Sequence, residues 1–400
     1  MFPSPVFIVG AARTPIGRYG GAFRDVHPAE LGAVAARAAL GRATVALELV
    51  DEVAIGHARQ AGSGPNPARQ VGRRTGLSDR VPATTINKAC ASGLEAVASG
   101  ARSIALGEAD VVLAGGIESM SRMPYMLDAG DARWGHKIGH FPLVDAMYRD
   151  GFRCSLCDMV MGETAELVAS EMGVGREESD RFALDSQRKA ARAFAAGAFD
   201  AEIAPVTVDD RKGPRIVDAD EHPRADTTIE GLKKLAPVFE FDGRPGIITA
   251  GSSSGITDGG AALVLAGVAA VGEHGLQPLA RIVGWASAGV DPRRMGIGPV
   301  PAVKALLEKL SLRLNDFDLV ELNEAFAPQV IAVLRDLPID PAKLNVNGGA
   351  IALGHPIGCT GARILVTLVH ALRARKGRLG LATLCVSGGM GMAMAVELTA

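Results

Sequence analysis

The sequence has almost no excess charge of either sign. Its 400 residues include 42 Lys and Arg against 44 Asp and Glu, which gives a formal net charge of −2 at pH 7. Proteins that bind nucleic acid through its phosphates present a basic face. A chain this balanced is therefore not expected to have a nucleic-acid partner.

Aromatic residues are also scarce, at 4% of the chain, whereas glycine is abundant with 49 residues. Hydrophobic residues nevertheless make up 48% of the sequence, which is enough for a large buried core. Small side chains and many glycines are typical of closely packed helices and strands joined by tight turns. This composition is not that of a disordered protein.

Cysteine is sparse too. The five cysteines are an odd number in a long chain, so free thiols are expected rather than a disulfide framework. Cys154 and Cys157 have the spacing of half a zinc or redox motif, but a second such pair is missing. No metal site is predicted.

Targeting signals are missing as well. Residues 1–5 include no basic region, and the last residues match no known targeting signal. No apolar run reaches the roughly 18 residues of a membrane helix. We expect a cytoplasmic protein without a membrane partner.

What the sequence does contain is a regular alternation of strand and helix patterns. Candidate strands at 6–9, 50–55, 81–86 and 109–116 are separated by candidate helices at 28–40, 67–75 and 91–106. A similar alternation runs from residue 280 to residue 398. This pattern predicts an α/β fold with a parallel sheet that is covered on both faces.

The two stretches of alternation look like copies of one another. A motif of polar residues and glycine, at 87–93 in the first stretch and at 347–361 in the second, stands just before a helix. Glycine pairs occur at 115–116 and 388–389. We predict an N-terminal half formed by residues 1–120 and 250–272 and a C-terminal half of residues 273–400. Residues 121–249, which have a different composition, are predicted to be an inserted loop domain.

Cys90 lies where a candidate strand passes into a candidate helix. Unpaired N–H groups and the helix dipole at a helix N-terminus stabilise a thiolate, so a lowered pKa is expected. Asn323, His355 and Cys385 also fall at strand ends or helix starts. Ligands bind at these places in α/β sheets. Taken singly, each of the four residues has an ordinary structural interpretation, as a turn residue, a loop histidine or a buried thiol.

Four motifs in order carry a family resemblance. They are Asn-Lys-Ala-Cys-Ala-Ser-Gly at 87–93, Asn-Glu-Ala-Phe-Ala at 323–327, Gly-His-Pro-Ile-Gly-Cys-Thr-Gly-Ala at 354–362 and Cys-Val-Ser-Gly-Gly-Met-Gly at 385–391. The set resembles the thiolases (acetyl-CoA C-acyltransferases) over essentially the whole chain. The resemblance implies five αβαβα layers built from two similar halves, with an inserted loop domain.

The resemblance also implies roles for the four residues. Cys90 would be the nucleophile that accepts an acyl group from a CoA thioester, and Cys385 would be the acid and base at the α-carbon. His355 would keep Cys90 ionised and, with a water held by Asn323, would receive the thioester or enolate oxygen. Coenzyme A would be substrate and product, and no cofactor is expected.

For coenzyme A, the resemblance implies that Ser254 holds the pantetheine and that Arg224 contacts the nucleotide end. Arg224 could equally be a solvated surface charge. Met295 and Phe326 fall where the family lines its acyl pocket, although both could equally be core residues. The implied partners are acyl-CoA and CoA, and the implied assembly is a homodimer or homotetramer.

Two positions depart from the family pattern. Val160 stands where many short-chain biosynthetic thiolases have His, which puts an acetoacetyl-CoA preference in doubt. Ser387 replaces the first glycine of a frequent Cys-x-Gly-Gly-Gly motif and would be strained if that position needs a positive φ.

The function predicted from these residues is ping-pong acyl transfer through Cys90, either cleaving 3-oxoacyl-CoA with CoA or condensing two acyl-CoAs. Two alternatives remain open at this point. A condensing enzyme of the ketoacyl-synthase type would share the nucleophile, but it needs no base such as Cys385. A non-catalytic CoA- or lipid-binding relative would not need the complete set of four residues.

Overall fold

The computed structural model describes residues 4–210 and 213–399. Nine principal strands form the main sheet: β1 (Val6–Arg13), β2 (Glu52–His57), β3 (Ala83–Ile86), β4 (Val111–Ser119), β5 (Thr257–Gly267), β6 (Ala280–Gly289), β7 (Leu319–Leu322), β8 (Leu379–Val386) and β9 (Met390–Leu398). A tenth strand of two residues, Gly17–Arg18, pairs with β5. The strand order is β7-β8-β9-β6-β1-β5-β4-β2-β3.

Eight longer helices accompany the sheet: α1 (Pro28–Arg42), α2 (Pro67–Thr75), α3 (Ser92–Leu106), α4 (Met161–Glu171), α5 (Arg176–Ala195), α6 (Pro299–Leu310), α7 (Ala327–Asp336) and α8 (Ile357–Arg375). Shorter helices span Ala129–Trp134, Ile229–Lys233, Val268–Glu273 and Ala350–Leu353.

The strand order repeats between the two halves of the sheet. From the centre outward, one half runs β1-β5-β4-β2-β3 and the other runs β6-β9-β8-β7, where Leu344 beside β7 takes the place of a further strand. The halves meet at β1 and β6 through only two residue pairs. In the second half β8 and β9 follow one another directly, whereas residues 120–256 separate β4 from β5 in the first half.

The sheet is mixed rather than parallel, which corrects the prediction. Only β2 with β3, β2 with β4 and β7 with β8 pair in parallel, and the other principal strands pair antiparallel. The tight turn between β8 and β9 permits only an antiparallel pair, because a parallel pair needs a long crossover.

Five layers pack around three apolar cores. The central core surrounds α3 and α8, which lie between the two halves of the sheet, with Leu94, Val97, Ile364 and Leu368 from the helices and Leu263 and Leu384 from the strands. Helices α1 and α2 cover the outer face of the first half, and α6 and α7 cover that of the second. The predicted αβαβα arrangement is therefore present.

Helix α8 is long and apolar enough to span a membrane by length and composition alone. However, 83% of its apolar window is buried inside the fold. It is the central helix of the layered core, and its apolar character follows from contact with both halves of the sheet.

Three details of the sequence interpretation need correction. Strand β3 is a half-exposed edge strand rather than a buried one. Residues 344–347 contribute a single bridge instead of a strand. The glycine pair at 115–116 lies inside β4, whereas the pair at 388–389 forms the turn after β8, so the two pairs are not equivalent. The domain boundaries stay a prediction, and residues 1–3, 211–212 and 400 lie outside the described residues.

Candidate active site

Cys90 and His355 each stand two residues before a central helix. Helix α3 begins at Ser92 and α8 begins at Ile357 rather than at the expected residue 361. The two helices touch near their starts through Gly93 and Gly361. A Cβ on Gly93 would lie 2.7 Å from the backbone nitrogen of Ala362, and one on Gly361 would lie 2.4 Å from that of Leu94. Glycine at this crossing therefore lets both N-termini reach the same end of the sheet.

Burial raises the pKa of the Cys90 thiol above its ordinary value. The backbone N–H groups of Ser387 and of Cys90 itself, together with the charge of Arg59, act in the opposite direction and do not outweigh it. The expected lowering of this pKa is therefore wrong for the free protein. Cys90 is a neutral thiol that needs a base to become nucleophilic.

His355 is buried, and its environment keeps the imidazole in the neutral form that can accept a proton. Burial and the positive charges of Arg363 and Arg59 lower the pKa of His355 to about 3, so the imidazole is neutral at physiological pH. The Thr360 hydroxyl donates to the Pro356 carbonyl oxygen over 2.9 Å and lies 2.6 Å from His355 Nδ1. In the tautomer that carries its proton on Nδ1, the Thr360 oxygen accepts the Nδ1–H while the hydroxyl donates to Pro356. Nε2 is then left unprotonated and able to accept a proton.

Asn323 carries a buried side-chain amide that is not hydrogen-bonded to the described chain. It follows β7, its backbone N–H donates to the Thr383 carbonyl oxygen over 3.0 Å, and its side chain is 1% exposed. Neither the Nδ2 nor the Oδ1 atom of Asn323 forms a hydrogen bond with the rest of the described chain. A buried amide without a partner costs about 1–3 kcal/mol, which favours a role toward a ligand or water.

Glu324 and Asn345 brace the loop that carries Asn323, and the sequence patterns did not reveal them. Glu324 accepts hydrogen bonds from the Ser186 hydroxyl over 2.6 Å and from Asn345 Nδ2 over 2.7 Å. Asn345 in turn bonds both backbone groups of Leu322. Burial raises the pKa of Glu324. These contacts fix the backbone on either side of Asn323.

Cys385 is the last residue but one of β8 and is 1% exposed. Burial raises the pKa of its thiol, and the nearby Cys90 sulfur raises it further. Gly388 and Gly389 take the positive φ values of the following turn, 86° and 83°. Ser387 has no positive φ, so the strain considered for this departure from the family pattern does not arise.

Met295 and Phe326 pack in one small apolar cluster with Cys385, together with Met161 and Ala325. Phe326 also makes an edge contact with Phe239 at a centroid distance of 6.2 Å. The structure thus places both predicted pocket residues beside Cys385. Val160 is 8% exposed and immediately precedes α4, next to this cluster.

The two residues predicted to bind coenzyme A lie at different distances from the core. Ser254 is half-buried, and its backbone N–H donates to the Ala325 carbonyl oxygen over 2.9 Å, directly beside the apolar cluster. Arg224 is exposed on the inserted segment, where its backbone N–H donates to Gln187 Oε1 over 2.9 Å. Ser254 therefore borders the site, whereas the structure shows Arg224 only as an exposed residue of the inserted segment.

Glu118 also holds the backbone of the site in place, and the sequence patterns did not reveal it. Its buried carboxylate accepts the backbone N–H of Gly358 over 2.8 Å and that of Arg59 over 3.2 Å, and it lies 3.1 Å from His57 Nε2. This carboxylate ties the start of α8 to β2 and β4. It thereby holds the His355 turn against the half that carries Cys90.

Comparisons with known proteins agree with this geometry. Residues 6–269 match the family model of the thiolase N-terminal domain, and residues 276–398 match that of the thiolase C-terminal domain. The chain is 50% identical over 390 residues to acetyl-CoA acetyltransferase of Escherichia coli (strain K12), which covers 98% of both chains. It is 47% identical over 397 residues to the mitochondrial 3-ketoacyl-CoA thiolase of Bos taurus, covering 99% of this chain and 98% of the relative.

A solved structure shows the same fold. Human mitochondrial 3-ketoacyl-CoA thiolase in complex with CoA superimposes with a TM-score of 0.95 at 44% identity, covering 100% of this chain and 99% of that one.

The fold, with a thiol and an imidazole before its two central helices, thus defines an acyltransferase of the thiolase class. The chain belongs to the thiolase family. The predicted fold class, thiolase function and acyltransferase activity are confirmed. The ketoacyl-synthase-type and non-catalytic alternatives are not favoured.

Proposed function

We propose that the protein cleaves 3-oxoacyl-CoA with CoA, or runs the reverse condensation, through an acyl group on Cys90. In cleavage, Cys90 passes its proton to His355 Nε2, and the sulfur attacks the 3-oxo carbon. The bond between C2 and C3 then breaks, the acyl group stays on sulfur, and Cys385 gives a proton to the departing acetyl-CoA enolate. CoA loses its thiol proton to Cys385 and takes the acyl group from Cys90, whose sulfur recovers its proton from His355.

The observation that carries this proposal is that a neutral thiol and a neutral imidazole each stand two residues before a central helix, where α3 and α8 touch, with the imidazole Nδ1 beside the Thr360 hydroxyl. A neutral imidazole can accept the thiol proton and then donate a hydrogen bond to the developing oxyanion. The unpartnered amide of Asn323 supplies a second polar group for an oxygen or a bridging water. Each step uses groups of the protein and of CoA, so the reaction needs no further cofactor.

Coenzyme A is the proposed ligand because a structural relative was solved in complex with it. We place its pantetheine beside Ser254 and its nucleotide end near Arg224. Met295 and Phe326 then line the acyl end next to Cys385. Ser254 borders the apolar cluster and Arg224 is exposed, which fits a ligand that runs from a buried thioester to a solvated nucleotide.

Location and assembly are further parts of the proposal. All five cysteines are free thiols, which fits the reducing cytoplasm.

Residues 125–148 expose several large apolar side chains, including Tyr125, Trp134, Ile138 and Leu143. Such a surface is consistent with a homodimer or homotetramer. Light scattering of the purified protein would measure its oligomeric state.

The decisive experiment follows the absorbance of acetoacetyl-CoA and of longer 3-oxoacyl-CoAs with and without free CoA. A thiolase consumes them only when CoA is present. Intact mass after incubation with acetyl-CoA should show one added acetyl group that is lost when Cys90 is replaced. Binding of CoA thioesters without turnover would support a non-catalytic relative, and CoA-independent condensation of a malonyl thioester would support the ketoacyl-synthase type.

A further inference from the structure

Cys154 and Cys157 are two thiols that the reaction above does not use. They belong to a turn of the inserted segment, between the short paired strands Arg153–Cys154 and Met159–Val160. The backbone N–H of Asp158 donates to the Cys154 carbonyl oxygen over 2.8 Å and closes this turn. Such a hydrogen bond is that of one turn of an α-helix, in which residues three apart lie on the same side. The backbone therefore brings the two thiols together.

The side chains of this pair are also in contact. Burial, and then a hydrogen bond between the two thiols, raise the pKa of the Cys157 thiol. Cys154 is 5% exposed, whereas Cys157 is half-buried. A reagent in solvent can therefore reach Cys157, and Cys154 lies directly beside it.

The pair is suited to forming a disulfide rather than to holding a metal ion. Within the described part of the chain, no group of three or more histidine, cysteine or carboxylate side chains could hold a metal, and a structural zinc ion takes four ligands. Both cysteines are free thiols. Residues three apart in a helical turn have Cβ atoms about 5–6 Å apart, and a disulfide needs about 3.5–4.5 Å. Oxidation would thus tighten the turn by about 1–2 Å.

A change in this turn is passed on to the residues around Cys385. The second strand of the hairpin leads directly into α4, whose first residue, Met161, packs against the cluster that contains Cys385. Leu156, within the turn, lies beside Gly388 in the turn after Cys385, since a Cβ on Gly388 would be 3.9 Å from Leu156 Cδ1. Closely packed groups transmit a displacement of this kind. Because misplacement by about 1 Å can slow a reaction by up to about 10²-fold, the turn can control the rate.

We propose that Cys154 and Cys157 form a reversible disulfide, and that this disulfide slows acyl transfer through Cys90. The inference rests on the proposed thiolase reaction and concerns its regulation. The oxidant is a low-molecular-weight disulfide.

The oxidation proceeds by two exchange steps. The Cys157 thiol loses its proton, and its sulfur attacks the small disulfide and releases one small thiol. The Cys154 thiol then loses its proton, and its sulfur attacks the Cys157 sulfur of the mixed disulfide and releases the second small thiol. The protein gives up two electrons and two protons, and the small disulfide takes up both.

The test equilibrates the protein with mixtures of reduced glutathione and glutathione disulfide. Free thiols are then alkylated, and peptide mapping identifies the linked cysteines. We expect a disulfide between Cys154 and Cys157 while Cys90 can still be alkylated. For the 3-oxoacyl-CoA that the protein cleaves fastest, kcat/KM should fall by about threefold to tenfold on oxidation and recover with dithiothreitol.

Two variants separate this pair from the catalytic thiols. Cys157→Ser should keep the activity of the reduced protein and lose the response to glutathione disulfide. Ser155→Ala is the matched control, because it changes an exposed residue of the same turn without removing a thiol and should respond as the wild type does.

The wild-type measurements alone decide the case if the variants do not fold. The proposal would be overturned if no disulfide formed between Cys154 and Cys157, if Cys90 were linked to Cys385 instead, or if the expected disulfide left kcat/KM unchanged. Peptide mapping does not depend on activity. If the reduced protein cleaves 3-oxoacyl-CoA and the disulfide is missing, only this inference fails. If the reduced protein cleaves no 3-oxoacyl-CoA, the proposed function fails and this inference with it.

Discussion

The two halves of the sheet share one strand order but contribute different chemistry. The first half supplies Cys90 from the turn before α3, whereas the second supplies Asn323, His355 and Cys385 from three successive strand or helix ends. A tight turn joins β8 to β9, and at the equivalent place between β4 and β5 the first half opens into the inserted segment. Duplication therefore provided two equivalent helix N-termini, and divergence made one nucleophilic and the other basic.

The difference also shows how a layered fold makes a site between its halves. Each central helix has its start at the same end of the molecule, and the contact between Gly93 and Gly361 sets how closely they approach. Cys90 from one half and Cys385 from the other then lie close enough to interact electrostatically, and burial strengthens such interactions. If this comparison is correct, replacing residues of the two halves should stop the reaction at different steps.

The largest effect is expected for Cys90, the contribution of the first half. Cys90→Ser replaces a thiol by a hydroxyl that is too weakly acidic to give its proton to His355 and too poor a nucleophile for the thioester. Thiolysis should fall by about 10⁴-fold or more, and no acetyl group should appear on the protein. Intact mass and the thiolysis rate measure the two results. Acetylation of this variant at the parent rate would show that another residue is the nucleophile.

A different step should fail when Cys385 of the second half is changed. Cys385→Ser removes general acid–base help worth about 10²–10⁴-fold from condensation and from α-proton exchange. The first half is untouched, so acetyl-CoA should still acetylate Cys90, at least slowly. Mass spectrometry and exchange into deuterated water distinguish these steps. Condensation at close to the parent rate would make Cys385 a structural thiol.

A smaller effect is expected at Thr360, which positions the base. Thr360→Val keeps the shape but leaves His355 Nδ1 without its acceptor, so the tautomer and ring orientation are no longer fixed. We expect kcat to fall by about tenfold to a hundredfold, with iodoacetamide labelling of Cys90 slowed in parallel.

Thr360→Ser is the matched control for this position, since it retains the hydroxyl and should recover most of the activity. A purely structural role would instead give equal losses in both variants and a common change in melting temperature.

The lowered pKa of His355 leads to a prediction about the stability of the protein in acid. Its folded-state pKa of about 3 is depressed from an ordinary value near 6.5, so the unfolded chain binds the proton more readily. The contribution of His355 to the free energy of unfolding is therefore fully present above the ordinary pKa. It is lost as the pH falls through the window from about 6.5 to about 3.

Thermal melts of wild type and His355→Gln across that window should converge as the pH falls, because the variant has no imidazole to protonate. Parallel curves would mean that the His355 pKa is not depressed.

Short sequence motifs indicated the candidate reacting residues. They did not indicate the residues that hold those side chains in place. Cys90, Asn323, His355 and Cys385 could be selected because each follows a recognisable strand or precedes a helix. Glu118 and Thr360 could not, since their roles depend on contacts with groups whose positions only the fold defines. The error about the Cys90 pKa has the same origin. A helix N-terminus is visible in a sequence, but the burial that outweighs it is not.

The strand pattern had a comparable limit. Alternation of strands and helices located β1 to β4 and the region of β6 to β9, but it could not reveal direction within the sheet. Strands β5 and β9 lie between neighbours that run the opposite way, and apolar periodicity is the same for either direction.

The smallest effect is expected at Arg224, an exposed residue of the inserted segment. If Arg224 contacts the nucleotide end of CoA, Arg224→Ala should raise KM for CoA substrates by about threefold to tenfold and leave kcat unaltered. The reason is that the contact is equally strong in the ground state and the transition state. Salt should reduce the difference, because an exposed charge pair is screened. Arg181→Ala is the control, since Arg181 is also exposed on the inserted segment but pairs with Glu177. An unchanged KM at low salt would make Arg224 an ordinary surface charge, and recognition of CoA would then rest on the pantetheine beside Ser254.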